Sequence, residues 1–313
     1  MVAPPSIRRS LAACAAACLL AARASASGTE GASFLDIPVG GRPAALAGAY
    51  SALAEDAYAP VWNAAGLGSL PSAQVSAMHA VYAEVGGYEF ASFVHPLGAH
   101  DGLGASARYF HAGSEAALDL AGNHAGTVSS HFGAYSLAYG HAFNEHLSLG
   151  AAGTLIDARL ADASARAVAG DAGALYRVND RIKVAVVAAN LGGRLRYLEQ
   201  ADRLPESYRL GVLYAPHPAV SLAAEAAYDR SRTASERFGA EWRPVAALAV
   251  RAGYRTETAR RSSALAGLTT GVGLTAWGQR FDYAWLPQGD LGQTQYFSVV
   301  LAFGPRAGTP AAK

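Results

Sequence analysis

The chain has little cysteine, few charged side chains and no long hydrophobic run beyond its first residues. Its only cysteines, Cys14 and Cys18, lie in the apolar N-terminal stretch, which excludes disulfide bonds and cysteine metal sites from the rest of the protein. Charged residues make up 16% of the sequence and the net charge is +1. Nucleic-acid binding typically needs a basic stripe, so this composition argues against that function. No later stretch approaches the roughly eighteen apolar residues of a membrane-spanning helix.

The first 26 residues have the pattern of an export signal. Arg8 and Arg9 give a basic start, residues 11–22 form an apolar core, and residues 24–26 (Ala-Ser-Ala) make a small-residue cleavage site. We therefore expect residues 1–26 to be a cleaved signal peptide and the mature chain to begin near Ser27. A chain exported without an inner-membrane anchor follows the route of a bacterial outer-membrane protein.

From residue 73 to residue 304 the sequence reads as a series of strands, in which apolar residues alternate with polar or small ones. In one of them Tyr208, Leu210 and Val212 face one side, and Arg209 faces the other. The predicted strands are residues 73–83, 87–97, 101–111, 128–140, 145–157, 166–178, 180–191, 205–216, 219–229, 235–243, 245–256, 264–276, 278–286 and 293–304.

The predicted connections alternate between short and long. The short ones are residues 96–102, 142–145, 179–180, 216–218, 243–244 and 277–278, and the long ones are residues 112–127, 158–165, 192–204, 230–234, 257–263 and 287–292. A closed transmembrane barrel has this alternation, because successive connections lie on opposite sides of the membrane.

A soluble sandwich would show the same alternation of faces, so strand length helps to decide between the two. The predicted strands run about ten to thirteen residues, close to the 9–11 that a tilted membrane strand needs. Soluble strands cluster near five or six residues. Together with the leader and the connections, this predicts an all-β fold: a transmembrane antiparallel up-and-down β-barrel of about 14 strands.

Charged residues on the small-residue faces are expected to point into the barrel, because an Arg or Lys facing lipid at mid-bilayer costs about 2–4 kcal/mol. These predicted lumen-facing residues are Arg209, Glu225, Arg237, Glu241, Arg251 and Asp282. They form either a paired network that stiffens the wall, which is the favoured interpretation, or a substrate-binding site. Interfacial girdles are the usual place for aromatic side chains. The residues expected there are Tyr82, Tyr88, Tyr208, Tyr214, Tyr228, Trp242, Tyr254 and Trp285.

Nothing in the sequence indicates an enzyme, a cofactor or a metal site. Seven histidines lie at predicted turns and strand ends, without the spacing of metal ligands. They are His95, His100, His111, His124, His131, His141 and His146. A lipid hydrolase needs a serine held beside a histidine, and only chain proximity links His131 to Ser129 or Ser130. We therefore predict no catalytic residue.

Residues 27–71 break the strand pattern. Small residues there mix with isolated hydrophobic ones, and turn formers stand at Pro38, Pro60 and Asn63. This composition predicts a compact, irregular segment with one or two short helical turns, which is either a periplasmic extension or a plug threaded into the barrel. The predicted organisation is a signal peptide (1–26), a plug or hatch (27–71), a barrel (72–304) and a periplasmic C-terminal tail (305–313).

The most specific sequence pattern lies in this segment and in the last hairpin. Its residues are Phe34, Leu35, Ile37, Pro38, Val39, Gly40, Arg42, Ala45, Leu46, Gly48, Ala49, Tyr50, Ala52, Ala54, Asp56, Ala57, Trp62, Asn63, Ala65, Gly66 and Leu67, then Asp282, Tyr283, Ala284, Pro287, Gly289, Asp290, Leu291 and Gly292. The pattern resembles the PorV/PorQ-type branch of the FadL-like (long-chain fatty acid transporter-like) outer-membrane barrels. The chain departs from that branch at Ala64, where members have proline, and at Gly41 and Pro43.

The resemblance implies a fourteen-strand barrel with an N-terminal hatch in its lumen. The predicted function is transport across the outer membrane by passage of hydrophobic small molecules, which predicts an apolar pocket behind residues 31–67. The alternatives are a carrier for secreted cargo proteins in type IX secretion and a structural anchor with a sealed lumen. The partners would be outer-membrane lipid and either hydrophobic small molecules or cargo proteins. The implied gate or ligand-contact residues are Pro38, Arg42, Tyr50, Asp56, Trp62, Asn63, Gly66 and Leu67.

Overall fold

The computed structural model describes residues 31–304 except for 84–85, 114, 119–123, 162, 198–199, 230–233, 262–263 and 290–291. The predicted signal peptide and C-terminal tail lie outside the described residues, as do Asp290 and Leu291. Within the described part of the chain, no helix combines the length and the apolar character that crossing a membrane requires.

Fourteen of the strands close into one antiparallel barrel. The described residues form the strands β1 Ala73–Tyr82, β2 Gly86–Pro96, β3 Asp101–Ala112, β4 Glu115–Leu118, β5 His124–Val128, β6 Ser130–Ala142, β7 Leu147–Leu160, β8 Ala163–Asn179, β9 Ile182–Leu191, β10 Arg194–Tyr197, β11 Gln200–Arg203, β12 Ser207–His217, β13 Val220–Asp229, β14 Ser235–Val245, β15 Leu248–Arg255, β16 Leu268–Ala276, β17 Gln279–Pro287 and β18 Gln293–Phe303. The barrel order is β1-β18-β17-β16-β15-β14-β13-β12-β9-β8-β7-β6-β3-β2. The predicted fourteen-strand barrel is confirmed, and each predicted strand corresponds to one barrel strand.

The two ends of the barrel differ in the length of their connections. At one end, called the short-turn end, neighbouring strands are joined by two to four residues, as between β8 and β9. The other end, called the long-loop end, carries most of the longer connections. The long connection predicted at residues 158–165 is wrong, because β7 and β8 stay paired as far as Leu160 and Ala163. Only residues 161–162 remain between them.

The long-loop end contains regular elements that the sequence pattern did not predict. Strands β4 and β5 form one separate hairpin, and β10 and β11 form another. A short helix, Thr256–Arg261, and a 3-10 helix, Ala264–Gly267, lie between β15 and β16. The loops at this end are therefore partly built of their own secondary structure.

The outer surface of the barrel is apolar and the inner face is polar or small. Along β12, Tyr208 and Leu210 are 46% and 48% exposed, whereas Arg209 between them is 9% exposed. Lipid-facing surfaces of membrane barrels have this character. The predicted alternation is thus confirmed on this strand.

Two of the predicted girdle aromatics point inward instead. Tyr88 is fully buried, and the ring of Tyr82 packs against Phe110 with centroids 5.7 Å apart. The reason is strand parity: Val81 is 42% exposed and faces outward, so its neighbour Tyr82 faces the interior. Both tyrosines contribute to the core.

Residues 31–70, called the N-terminal segment from here on, lie inside the barrel. The segment contains two short α-helices, Gly41–Ala45 and Ala59–Trp62, and two 3-10 helices, Ser33–Asp36 and Ala64–Ser69. Its large side chains Tyr50, Tyr58 and Leu67 are fully buried and form much of the core. None of its described residues is in a strand, so packing and polar contacts hold it in place.

The N-terminal segment runs from the long-loop end to the short-turn end. At its start, the Gly31 N–H donates a hydrogen bond to the Arg203 carbonyl oxygen of β11, at 3.0 Å. At its end, Gly68 packs against His141 and Ala142, where β6 finishes at the short-turn end. The chain then enters β1 at Ala73.

Candidate functional site

The barrel wall has no side chains where the N-terminal segment lies closest to it. Four glycines on neighbouring strands, Gly102, Gly140, Gly150 and Gly173, stand side by side in the strand register and are called the glycine row. A Cβ added at Gly140 would lie 2.3 Å from the Ala64 carbonyl oxygen. A Cβ added at Gly150 would lie 2.3 Å from the Ala64 carbonyl carbon. Such distances are too short for any side chain, so this approach of two backbones requires glycine.

Asn63 and Gly66 fix the last part of the segment. The Asn63 side-chain amide donates to the carbonyl oxygens of Ser51, at 3.1 Å, and of Ala174 on β8, at 3.3 Å. Its Oδ1 accepts from the backbone N–H two residues later, which caps the following 3-10 helix. A Cβ at Gly66 would lie 1.7 Å from the Ala54 carbonyl oxygen. Both residues therefore shape the segment, and Asn63 also attaches it to the wall.

Six charged side chains form a closed ring between the segment and the wall near the short-turn end. In order they are Arg42, Glu241, Arg251, Asp282, Arg280 and Asp56, and this set is called the charge ring. Successive nitrogen–oxygen distances are 2.8, 2.6, 2.8, 2.9 and 2.9 Å, and the ring closes from Asp56 to Arg42 at 3.8 Å.

The signs alternate around the charge ring, so each charge has an opposite charge on both sides. Arg42 and Asp56 come from the segment, and the other four members come from β14, β15 and β17. Arg42 binds Glu241 through two nitrogens, at 2.8 and 3.0 Å. A buried ion pair offsets its desolvation only with such geometry, and removing one partner costs about 3–5 kcal/mol. The ring thus attaches the segment to the wall by electrostatic contacts.

Tyr50 supports the charge ring from the segment side. Its hydroxyl donates to the Asp56 carboxylate at 2.6 Å, and the Arg42 guanidinium lies 5.6 Å from its ring centroid. Burial raises the pKa of the Tyr50 phenol well above its usual range, and the Asp56 carboxylate raises it further against the opposing effect of Arg42. The phenol therefore stays protonated and continues to donate.

A second ionic cluster joins the segment to β12, β13 and β14. Glu225 accepts hydrogen bonds from the Ser51 N–H, at 3.0 Å, and from the Ser51 hydroxyl, and it pairs with Arg237 at 3.4 Å. Arg209 donates to the Trp62 carbonyl oxygen at 3.0 Å and lies 5.5 Å from the Trp62 ring. These wall residues bind the segment instead of facing an open lumen.

The predicted site residues therefore lie in a few connected places. The charge ring is formed or supported by Arg42, Tyr50, Asp56, Glu241, Arg251 and Asp282. The second cluster contains Trp62, Arg209, Glu225 and Arg237. Asn63 and Leu67 lie at the glycine row, and Gly66 packs against Ala54 within the segment. Pro38 lines a cavity between the segment and the wall.

This cavity, called the internal cavity, is small and largely polar. Its volume is about 60 Å³. On the segment side it is lined by residues 35–39 with Val61 and Trp62, and on the wall side by Arg108, Asp171, Ala189, Asn190, Ser207, Arg209, Asp229 and Arg237. An apolar pocket behind residues 31–67 was expected for passage of hydrophobic molecules, and this cavity is not such a pocket.

A larger, apolar groove of about 530 Å³ lies on β12 to β16. Its lining includes Phe238 and Tyr214, which are 51% and 43% exposed and face outward, with Ala224, Ala240 and Ala252 between the larger side chains. The groove is thus part of the apolar outer surface.

Sequence comparison assigns the chain to a family. The model of the "Uncharacterised protein family (UPF0164)" matches residues 8–192, which is more than half of the chain. The chain belongs to the UPF0164 family. No curated protein matches it in sequence. The finer PorV/PorQ-type resemblance stays a prediction.

Solved structures with the same fold include transport proteins. The Ralstonia pickettii toluene transporter TbuX matches with a TM-score of 0.56 at 13% identity, covering 86% of this chain and 98% of its own. The CymD monoaromatic hydrocarbon channel matches with a TM-score of 0.60 at 13% identity, covering 85% and 98%. A Pseudomonas aeruginosa FadL homologue matches with a TM-score of 0.58 at 12% identity, covering 84% of this chain and 98% of its own. Identities this low establish the fold alone, and bacterial outer-membrane proteins use this fold.

Some important residues of this UPF0164 chain were missed by sequence reasoning. Arg280 completes the charge ring, and Arg108 and Asp171 line the internal cavity. A signal for Arg280 was present, because it stands two residues before Asp282 in β17 and therefore shares its face. Strand parity alone would also have placed Asp171 on the inner face with Gly173.

The histidines do not come together as a metal site. Among the described residues, no group of three His, Cys, Asp or Glu side chains is arranged to hold a metal ion. His141 instead bonds Asp101 at 2.8 Å near the short-turn end, and His79 bonds Glu89 at 2.6 Å across β1 and β2.

Proposed function

We propose that this UPF0164 chain is an outer-membrane transport barrel for hydrophobic small molecules, and that the N-terminal segment is its plug. The observation that carries the proposal is a separate, non-strand segment enclosed by a closed barrel. Since no sheet hydrogen bonds tie the segment to the wall, it can move without breaking the barrel. The apolar outer surface supports a location in a membrane.

The substrate class is suggested by the transport proteins that share the fold. Their names specify toluene and monoaromatic hydrocarbons, so toluene is the first substrate to test. The internal cavity of about 60 Å³ is lined by charges and does not suit an aromatic hydrocarbon. In this proposal the segment leaves part of the lumen for passage, and the described structure corresponds to a closed state.

A reversible covalent lock tests whether the segment controls passage. In a Cys14→Ala/Cys18→Ala background the chain has no thiol. Leu46 and Gly239 are suitable for a disulfide, because a Cβ built at Gly239 lies 2.9 Å from the Leu46 Cβ, and a small outward shift gives the usual ~3.8 Å. The Leu46→Cys/Gly239→Cys variant is expressed in a host outer membrane, and uptake of labelled toluene is measured before and after reduction.

The proposal expects uptake to be low in the oxidised double variant and to return on reduction. Each single cysteine variant serves as the control, and its uptake should not respond to the reductant. Equal uptake by the oxidised and reduced forms would remove the gating role of the segment. No uptake in any form, including the unmodified chain, would remove the transport role for this substrate.

A sealed structural anchor is the second candidate, and the charge ring is the observation that favours it. A neutral ring of buried ion pairs between the segment and the wall is costly to open, which suits a permanently closed barrel. Failure of any apolar substrate to pass, with normal insertion in the membrane, would support this alternative.

The type IX carrier role remains a prediction from the resemblance. Such a carrier needs a broad, partner-facing surface at the long-loop end, and the two hairpins there have strands of only four or five residues. Co-purification of a secreted protein with the barrel from its native membrane would support this role.

A further inference from the structure

The β10–β11 hairpin at the long-loop end has two different faces. Its inner face covers the start of the N-terminal segment: Leu195 is fully buried, and a Cβ built at Gly31 would lie 3.0 Å from the Leu195 Cβ and 3.2 Å from the Asp202 Cβ. The outer face is exposed and is called the arginine face. It is formed by Arg194, Arg196 and Arg203.

The arginine face places like charges directly opposite each other. Arg194 and Arg203 are partners in the strand register, so their Cβ atoms are about 4.5–5.5 Å apart. Arg196 stands two residues after Arg194 on the same face, about 7 Å further along β10. Like charges at opposite positions destabilise a strand pair. This small hairpin therefore contains an unfavourable contact that the proposed transport role does not explain.

No carboxylate of the described residues lies on the arginine face. In the part of the chain that the structure describes, none of the three arginines forms an ion pair or a side-chain hydrogen bond. Asp202 points to the segment on the inner face, and Glu206 lies beyond the end of β11. Glu199, in the turn of the hairpin, is outside the described residues. The repulsion between the arginines is thus not offset by a direct contact on their own face.

The arginines are not a general property of the loops at this end. The other hairpin there, formed by β4 and β5, has no arginine or lysine in either strand. Both hairpins stand outside the closed barrel sheet, so neither needs the charges for barrel closure. The concentration of arginines on one hairpin indicates a binding surface for an anion.

We propose that the arginine face binds a phosphate monoester, whose oxygens are held between Arg194 and Arg203 with Arg196 beside them. A phosphate monoester has a charge of about −1.5 to −2 near neutral pH and three strong acceptor oxygens. It accepts hydrogen bonds from two guanidinium groups at once, and such charge-assisted bonds are among the stronger ones in proteins. Its charge removes the repulsion between the two opposite arginines.

A carboxylate is a poorer fit to this surface. It has one negative charge and two oxygens, and a single guanidinium group can occupy both oxygens in a bidentate pair. The second arginine of the opposed pair would then keep its charge without a partner. The phosphate can belong to a soluble molecule or to the headgroup of a membrane lipid, and the experiment below separates these two sources.

Binding at the arginine face would also hold the start of the N-terminal segment. The Gly31 N–H donates to the Arg203 carbonyl oxygen at 3.0 Å, so Arg203 contacts the segment through its backbone and the phosphate through its side chain. A ligand that binds only the ordered hairpin stabilises it by mass action. Phosphate would thereby favour the closed state, and this consequence alone rests on the proposed transport function.

Calorimetric titration of the purified chain in neutral detergent micelles tests the soluble source. Glycerol 3-phosphate is the probe, and sodium acetate and sodium chloride at equal ionic strength are the comparison salts. The variants are Arg194→Gln, Arg203→Gln and the double variant. The matched control is Arg159→Gln/Arg166→Gln, which removes two exposed arginines from the barrel wall and changes the net charge equally.

We expect saturable binding of glycerol 3-phosphate to the unmodified chain and to the control variant. Each single variant should bind about fivefold more weakly, and the double variant about twentyfold more weakly. All three arginine-face side chains are exposed, so the variants should fold. Equal weakening in the control variant would overturn the site, because it would show general attraction to a positive protein. Acetate binding as tight as that of glycerol 3-phosphate would overturn the phosphate class.

Hydrogen exchange of the β10 and β11 amides tests the lipid source and gives an independent signature. The chain is placed in phosphatidylcholine nanodiscs with or without dioleoyl phosphatidic acid, which has a phosphate monoester headgroup. Without phosphate, Arg203→Gln should exchange more slowly than the unmodified chain, because one of the opposed charges is gone. With phosphate, the unmodified chain should gain protection and the double variant should not.

The two probes together decide the source of the phosphate. Protection by phosphatidic acid without binding of glycerol 3-phosphate would assign the site to a lipid headgroup. Binding of glycerol 3-phosphate without added protection from the lipid would assign it to a soluble ligand. If neither probe binds saturably or protects the hairpin, the proposal is refuted, whether or not the barrel transports toluene.

Discussion

The pair of Arg42 and Glu241 offers the sharpest test of how the segment is attached. The two side chains are 15% and 2% exposed, and two hydrogen bonds of 2.8 and 3.0 Å join them. Arg42→Met leaves Glu241 with two cationic partners, Arg251 at 2.6 Å and Arg243 at 3.6 Å. Removal of one partner of a buried pair costs about 3–5 kcal/mol. Because Arg251 remains, we expect a loss near the lower limit, about 3 kcal/mol of unfolding free energy.

A double-mutant cycle separates this interaction from other effects of the substitutions. The variants are Arg42→Met, Glu241→Gln and the double variant, unfolded by urea in lipid vesicles and followed by tryptophan fluorescence. We expect a coupling free energy of about 2 kcal/mol, within the range for residues of one buried network. If the two single-variant changes in unfolding free energy add up to the change in the double variant within about 0.5 kcal/mol, the argument that the ring holds the segment is refuted.

An exposed ion pair of similar length provides the control. Arg166 on β8 and Asp157 on β7 lie 2.6 Å apart, but their side chains are 79% and 37% exposed. The same cycle with Arg166→Met and Asp157→Asn should give a coupling of about 0.2–1 kcal/mol. Equal coupling free energies in the two cycles would show that burial between the segment and the wall does not strengthen the ion pair.

Two further predictions concern uncharged contacts of the segment, each with a matched control. Gly150→Ala should lower the unfolding free energy by about 1–3 kcal/mol, because the added Cβ would lie 2.3 Å from the Ala64 backbone. Gly153→Ala on the same strand is the control: its Cβ meets no atom within 4 Å, so the unfolding free energy should change by less than about 0.5 kcal/mol. Equal urea midpoints for the two variants would contradict this packing. Asn63→Ala removes three hydrogen bonds in the core and should lower the unfolding free energy by about 2–3 kcal/mol. The control Asn144→Ala, in an exposed turn, should lower it by less. A larger loss of unfolding free energy in the turn variant would show that Asn63 does not anchor the segment.

The barrel could be predicted because a strand pattern is local. Each barrel strand has eight to seventeen residues of alternation, long enough to be recognised. The loop hairpins escaped because β4 and β10 have four residues each, too few to show a period. The error at residues 158–165 has the same origin, since small residues such as Ala158 and Ala165 carry little signal.

The candidate site was only partly predictable, for a different reason. Residue types on the inner face follow from parity, so Glu241 and Asp282 were expected there. Their partners depend on how the segment is threaded, and the Arg280–Asp56 contact joins residues 224 positions apart. No local pattern encodes such a pairing. The hydrogen bond from Arg209 to the Trp62 carbonyl oxygen escaped for the same reason.

The enclosed position of the N-terminal segment also bears on how the protein is assembled. The barrel closes where β1 pairs with β18, the first strand with the last, and β1 begins three residues after Leu70. A segment anchored at the short-turn end, with its start under the β10–β11 hairpin, cannot be threaded easily into a finished ring. We therefore expect the fourteen strands to wrap around a segment already in place, which makes it the template for barrel closure and not a late addition to it.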